Sequence, residues 1–262
     1  MVKIIFFYRE FGVMEKELNN CHNHGHEHHH DHSIIGELLH HLPYAIFSVA
    51  LGLIILSFLD GFGLSDGHGE IVHGDHRHAA NGAHLLFHSF HFLHIIFAMT
   101  GSLIMFSRFS TNLFKGIVVS LVSSMFFCTL SDVILPYFAG MMLGVHMHFH
   151  LCFYSELHNI IPFYAIGLLN GIVMSKHSSS LKTFYSVGSH FSHILISSLA
   201  SLFYLVSEGF SNWYPQMGLL YIFLIVAVVV PCTLADVVVP MFFAKSRKNN
   251  EKYKAREYQE VL

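Results

Sequence analysis

Cys128-Thr129-Leu130-Ser131-Asp132-Val133-Ile134-Leu135-Pro136 sets a carboxylate and a proline inside a long apolar segment. The pattern returns as Cys232-Thr233-Leu234-Ala235-Asp236-Val237-Val238-Val239-Pro240. A carboxylate at membrane depth is costly and is kept there for function. In each copy Cys, Asp and Pro stand at i, i+4 and i+8, so a helix presents them on one face. The proline has no N–H for the carbonyl four residues back, which belongs to the Asp itself. Each motif therefore offers an acid, a released carbonyl and a thiol in one direction.

The surrounding composition agrees with a membrane setting. The chain has 262 residues, 53% hydrophobic and 12% charged, against about 25% charged in ordinary soluble domains. Several apolar runs reach the ~20 residues a helix needs to cross a bilayer. They centre on 43–59, 84–106, 116–136, 160–174, 185–206 and 217–243. The expected fold is an all-α polytopic membrane protein with six transmembrane helices. A near-neutral charge balance and the lack of a P-loop or a glycine-rich dinucleotide loop argue against nucleic acid and nucleotides. The four cysteines form no CxxC pair and two sit at membrane depth, so a disulfide framework is not expected.

Histidine is the unusual residue, with 24 copies against 14 Lys and Arg together. Residues 21–32 read Cys-His-Asn-His-Gly-His-Glu-His-His-His-Asp-His, a composition suited to weak, multivalent metal capture. A second His- and Asp-rich stretch occupies the loop 60–83. His84, His88, His91 and His94 follow at steps of four, three and three, one stripe of a helix. His146, His148 and His150 alternate, so only extended or irregular backbone would align them; a vestibule or lid is the expectation for that segment.

The chain also repeats itself. Glu37-Leu38 followed by Pro43 matches Glu156-Leu157 followed by Pro162. His91-Phe-Leu-His94 matches His190-Phe-Ser-His193, and the Asp motif matches its twin. Two three-helix units result, 37–136 and 156–244, with a His-rich tail at 1–36 and a basic tail at 245–262. The segment 137–155 is too short to span and reads as re-entrant or interfacial. With six helices and a cytoplasmic amino terminus, Lys3, Arg9, Lys16, Arg108, Lys115, Lys176, Lys182 and the six basic residues of the tail all lie inside, and Arg77 alone lies outside. Both termini are then cytoplasmic and the two units are inverted repeats, a common plan of secondary transporters.

Inversion predicts two equivalent clusters, one near each face. One contains His91, His94, Asp132, Glu156 and His158; the other contains Glu37, His190, His193 and Asp236. Cys128 and Cys232 are further candidate ligands, and His84 with His88 a third site toward the outside. A single buried His is ordinarily a core residue bonded to a neighbouring helix, and a buried Cys a small core residue. The double occurrence of His-x-x-His, each with its own Asp, favours ligation. Imidazole, carboxylate and thiol suit zinc, nickel or cobalt, whereas calcium and magnesium take oxygen alone.

The functional expectation is a transporter, not an enzyme, that moves such a cation. Its partners are the bilayer and metal ions, and a homo-oligomer is compatible with it. The competing class is a membrane metalloprotein holding haem or a di-metal centre for redox chemistry. A proton-coupled carrier of an organic substrate is a further alternative.

Overall fold

A computed structural model describes residues 34–59, 76–150, 156–176, 179–210 and 213–244. The His-rich tail, most of the 60–83 loop, the basic tail, Cys21 and Cys152 lie outside the described residues.

All regular structure among the described residues is helical. The helices are α1 (Ile34–Leu59), α2 (His76–Phe109), α3 (Leu113–Thr129), α4 (Leu135–Met142), α5 (Leu157–Lys176), α6 (Ser179–Ser207) and α7 (Met217–Thr233). Helices α3 and α4 form one span, Leu113–Met142, and α7 belongs to another, Tyr214–Ala244. Six helices are therefore long and apolar enough to cross a membrane, as the sequence predicts.

Both Asp motifs fold as π-helical turns, Leu130–Ile134 and Leu234–Val238. The N–H of Leu135 bonds the carbonyl of Leu130, and that of Val239 bonds Leu234, five residues back in each case. This wider turn resolves the conflict that Pro136 and Pro240 pose. An α ladder would drive each ring against the carbonyl four residues earlier, while one π turn shifts the register and lets the helix pass. The first motif helix therefore runs on to Met142 instead of stopping at Pro136, and the expected boundary at 137 moves to 143. The π turns are 104 positions apart (234 − 130), the same interval as Asp132 to Asp236.

After Met142 the chain reverses at Gly144, whose φ of 79° is open to glycine without strain. Residues 145–150 are irregular and lie against the end of α6: His148 N–H reaches the Glu208 carbonyl (3.3 Å) and His150 N–H the Tyr204 hydroxyl (3.4 Å). Residues 143–150 contain no helix that could cross a bilayer.

The two motif helices touch head to tail. Lys115, near the start of α3, donates to the Phe243 carbonyl (2.9 Å), and Gln216, just before α7, donates to the Leu143 carbonyl (3.4 Å). They run in opposite directions.

The polarity of the bundle is inside-out relative to a soluble protein. Phe47, Ile54, Phe58, Phe114, Phe126, Leu169 and Ile222 are exposed, while Ser48, Ser102, Ser120, Ser124, Ser197 and Ser201 are buried. Apolar side chains facing outward and small polar ones between helices suit a lipid surround. The helices approach closely where glycine permits. A Cβ on Gly167 of α5 would stand 3.0 Å from the Ile96 carbonyl oxygen of α2. An apolar core of Val49, Leu53, Phe87, Leu202, Phe203, Tyr204, Trp213 and Leu224 fills one part of the bundle.

Candidate metal centre

The motif helices carry Asp132 and Asp236 inward on their π turns, and both carboxylates are buried. His91 and His94 stand one helical turn apart on α2, and both Nδ1 atoms reach Asp132 Oδ2, at 2.9 and 2.7 Å. In the second half His193 Nδ1 reaches Asp236 Oδ2 at 2.5 Å, with His190 Nδ1 at 3.8 Å. An ionised carboxylate only accepts hydrogen bonds, so the Nδ1 atoms of His91, His94 and His193 carry the protons. Their Nε2 atoms are thereby turned away from the acids with lone pairs available. Carboxylates orient metal-binding histidines in this way.

The two halves then meet. His94 Nε2 and His193 Nε2 are 2.6 Å apart, and the Cys232 thiol is 3.7 Å from His94 Nε2. The donor atoms of His94, His193 and Cys232 all lie within 4.8 Å of one another, and Cys128, the counterpart of Cys232 in the first half, is buried. The inner members of the two predicted clusters thus form one buried centre, Asp132–His94–His193–Asp236, with the Cys232 thiol beside it. The expectation of two separate clusters near opposite faces is corrected here. The His-x-x-His helices cross at their inner histidines, so the pairs converge there and only their outer arms diverge.

Those outer arms do reach toward opposite ends of α2. On one side His190 Nδ1 lies 3.8 Å from Asp236, whose carboxylate packs against Gly101 in the later part of α2, and the His190 ring packs edge-on against His41 at 5.0 Å. On the other side His84 and His88 lie earlier on α2, His84 being ten residues or about 15 Å of helix before His94. Phe87 stacks on His91 between them (5.6 Å, 28°).

Geometry decides what the centre accepts. In a tetrahedral zinc site, ligand bonds of about 2.0–2.3 Å put two nitrogens about 3.3 Å apart, and nitrogen and sulfur about 3.5 Å apart. The 3.7 Å between Cys232 and His94 meets that requirement. The 2.6 Å between the imidazoles must widen by about 0.7 Å to admit such an ion. At 2.6 Å the two lone pairs demand a proton between them. The donor set, two imidazoles and one thiol, fits a borderline divalent cation.

The remaining predicted residues divide. Asp132 and Asp236 act behind the imidazoles, their Oδ2 atoms being taken by Nδ1–H groups. Glu156 does not join Asp132: it bonds Asn159 (2.5 Å) and lies in charge-interaction range of His84 and His88. His158 is exposed, because it sits on the outward side of the first turn of α5. The Glu37 side chain lies outside the described residues. Of the alternating trio, His150 alone turns inward, toward His84 and His88, while His146 and His148 are exposed.

Sequence reasoning missed Ser131 and Ser197, whose hydroxyls donate to Asp132 Oδ1 at 2.7 and 2.9 Å. Ser197 lies four residues after His193 on the same helix, a spacing that marks it in retrospect. The second half lacks both hydroxyls. Ala235 replaces Ser131, and Ala98, four residues after His94, replaces Ser197. Asp236 Oδ1 accordingly has no hydrogen-bond partner among the described residues. Gly101 leaves room for that carboxylate, since a Cβ there would meet it at 3.2 Å.

Compared with known proteins, the chain matches no family model, no curated protein and no solved structure.

Proposed function

We propose that this protein is a multi-pass membrane transporter of a divalent transition-metal cation of the zinc, nickel or cobalt class, and that the ion passes through the His94–His193 centre. One observation carries the reading: His94 and His193 each have Nδ1 occupied by a buried carboxylate, and each directs Nε2 toward the other and toward a thiol. Two imidazoles prepared in this way, one per half, at the crossing of two membrane-length helices, have the chemistry of a mid-membrane ion site.

The opposed directions of the motif helices and the doubled π turn support two inverted repeats around that site. The strong bias of Lys and Arg supports both termini being cytoplasmic. An ion arriving between the rings displaces the bridging proton, so proton release accompanies loading. A rocking movement of one half against the other would then expose the ion first to the outer arm of His84, His88 and His91, and next to that of His190 and His41. The competing haem reading finds less support: a flat macrocycle needs space between its axial imidazoles, and 2.6 Å leaves none.

The test is purified protein in liposomes with a trapped metal-sensitive dye. Zinc, cobalt or nickel entry is expected from wild type, with a proton movement that follows the metal. His94→Ala and His193→Ala should abolish both signals, and exposed His158→Ala should leave both intact. Undiminished flux in either centre variant would sink the proposal.

A further inference from the structure

A second group of imidazoles lies away from the central site. His84, His88 and His150 are half-buried, and one nitrogen of each falls within 4.8 Å of the others. His84 Nε2 and His88 Nε2 are 3.2 Å apart, close to the ~3.3 Å edge between two nitrogens sharing one tetrahedral ion. Unlike the central pair, these two need no separation to accept a cation. The His150 ring centroid lies 5.6 Å from that of His84 and 6.0 Å from that of His88. Among the described residues no thiol belongs to the group.

The connectivity of the three residues matters as much as their spacing. His84 and His88 belong to α2, in the first half. His150 belongs to the irregular segment 143–150 that joins the halves, and this segment is held to α6 by the bonds of His148 to Glu208 and of His150 to Tyr204. An ion shared by all three residues ties α2 to that segment, and through it to the end of α6.

We propose that His84, His88 and His150 bind a divalent transition-metal cation at a second, peripheral site, which fastens the connecting segment to α2 and captures the ion before it reaches the centre. Binding at this site stands on its own geometry, and its capture role rests on the transport reading above. The described peripheral donors are imidazoles, whereas the central set includes the Cys232 thiol. Cobalt(II) therefore distinguishes the sites, because only thiolate ligands give an intense sulfur-to-metal charge-transfer band.

The experiment is cobalt binding to the full-length protein in detergent at buffered free metal, with bound cobalt counted and the charge-transfer band recorded. His150→Ala and His84→Ala are each expected to lower the count by one ion and leave the band unchanged. The His-rich tail and loop contribute equally to wild type and variants, so they cancel in the difference. Cys232→Ser is expected to diminish the band and keep the His150-dependent ion. In liposomes, His150→Ala should raise the half-saturating metal concentration about tenfold with the maximal rate retained, the effect of about 1.4 kcal/mol in binding. An unchanged ion count in both peripheral variants, with the band intact as proof of folding, would overturn this site and leave the central one standing. Loss of the band together with the ion would also overturn it, by showing a single shared site.

Discussion

Asp132→Asn tests the role assigned to the buried carboxylates most directly. Asp132 Oδ2 accepts from His91 and His94, and its Oδ1 from Ser131 and Ser197. Asparagine can keep this geometry, with its carbonyl facing the two imidazoles and its amide facing hydroxyls that can rotate to accept. What it removes is charge. A hydrogen bond to a charged acceptor contributes about 1.5–3 kcal/mol and one between neutral groups about 0.5–1.5, so the His94 bond weakens by about 1–1.5 kcal/mol. Loss of an outer-shell carboxylate behind a metal-bound His ordinarily lowers affinity about 10- to 100-fold. The first scale corresponds to a drop of about 5- to 12-fold and the second to about 10- to 100-fold, so central-site affinity should fall about tenfold while the protein stays folded. Asp236→Asn removes the charge behind His193 in the same way, but Ala235 and Ala98 offer its amide no hydroxyl, so a loss of stability of about 1–3 kcal/mol is expected beside the loss of affinity. The assay is titration of the Cys232-dependent part of the thiolate-to-cobalt band, taken as the difference from Cys232→Ser, against a competing chelator, so that ions held by the His-rich tail with its Cys21 are subtracted. Unchanged midpoints in both variants, each still folded and carrying the band, would refute the idea that the acids prepare the imidazoles.

Two further outcomes are expected. Gly167→Ala should lower thermal stability by about 1–3 kcal/mol, because its Cβ would press on the Ile96 carbonyl oxygen and Met99 Cβ, both at 3.0 Å, where a helix backbone cannot yield locally. Gly36→Ala, with nothing within 4 Å, should be neutral or slightly stabilising, and equal melting of the two variants would contradict the close packing of α5 on α2. Burial of Glu208, 7% exposed at the end of α6, holds its carboxyl above the ordinary 4.5, with the nearby His148 and His150 opposing more weakly. The folded state therefore holds that proton more tightly than the unfolded chain, and stability should fall as pH rises from about 4.5 through the raised value. Glu208→Gln should remove that decline in melting temperature, and parallel curves would show that the carboxyl is not desolvated.

The sequence by itself determined the class and the parts list. Apolar runs of membrane length can bury their backbone hydrogen bonds only as helices, so composition alone was enough for six spans. The same local logic marked Asp132, Asp236, His94 and His193, since an ionisable residue at membrane depth must have a partner. It also made a repeat of Glu–Pro, His-x-x-His and Asp–Pro segments visible along the chain. It misjudged how the first motif helix ends, because a proline rule written for the α ladder does not anticipate a π turn. Only the tertiary structure decided where the halves touch. The contact between His94 and His193 depends on the crossing of two helices 99 positions apart in sequence, and on glycines that let neighbouring helices close in. Helical periodicity says which residues share a stripe, but not which stripe meets another or at what height. For the same reason His150 moved from an unassigned trio to the side of His84 and His88. Its position follows from irregular backbone anchored to a distant helix, and no periodic pattern encodes that.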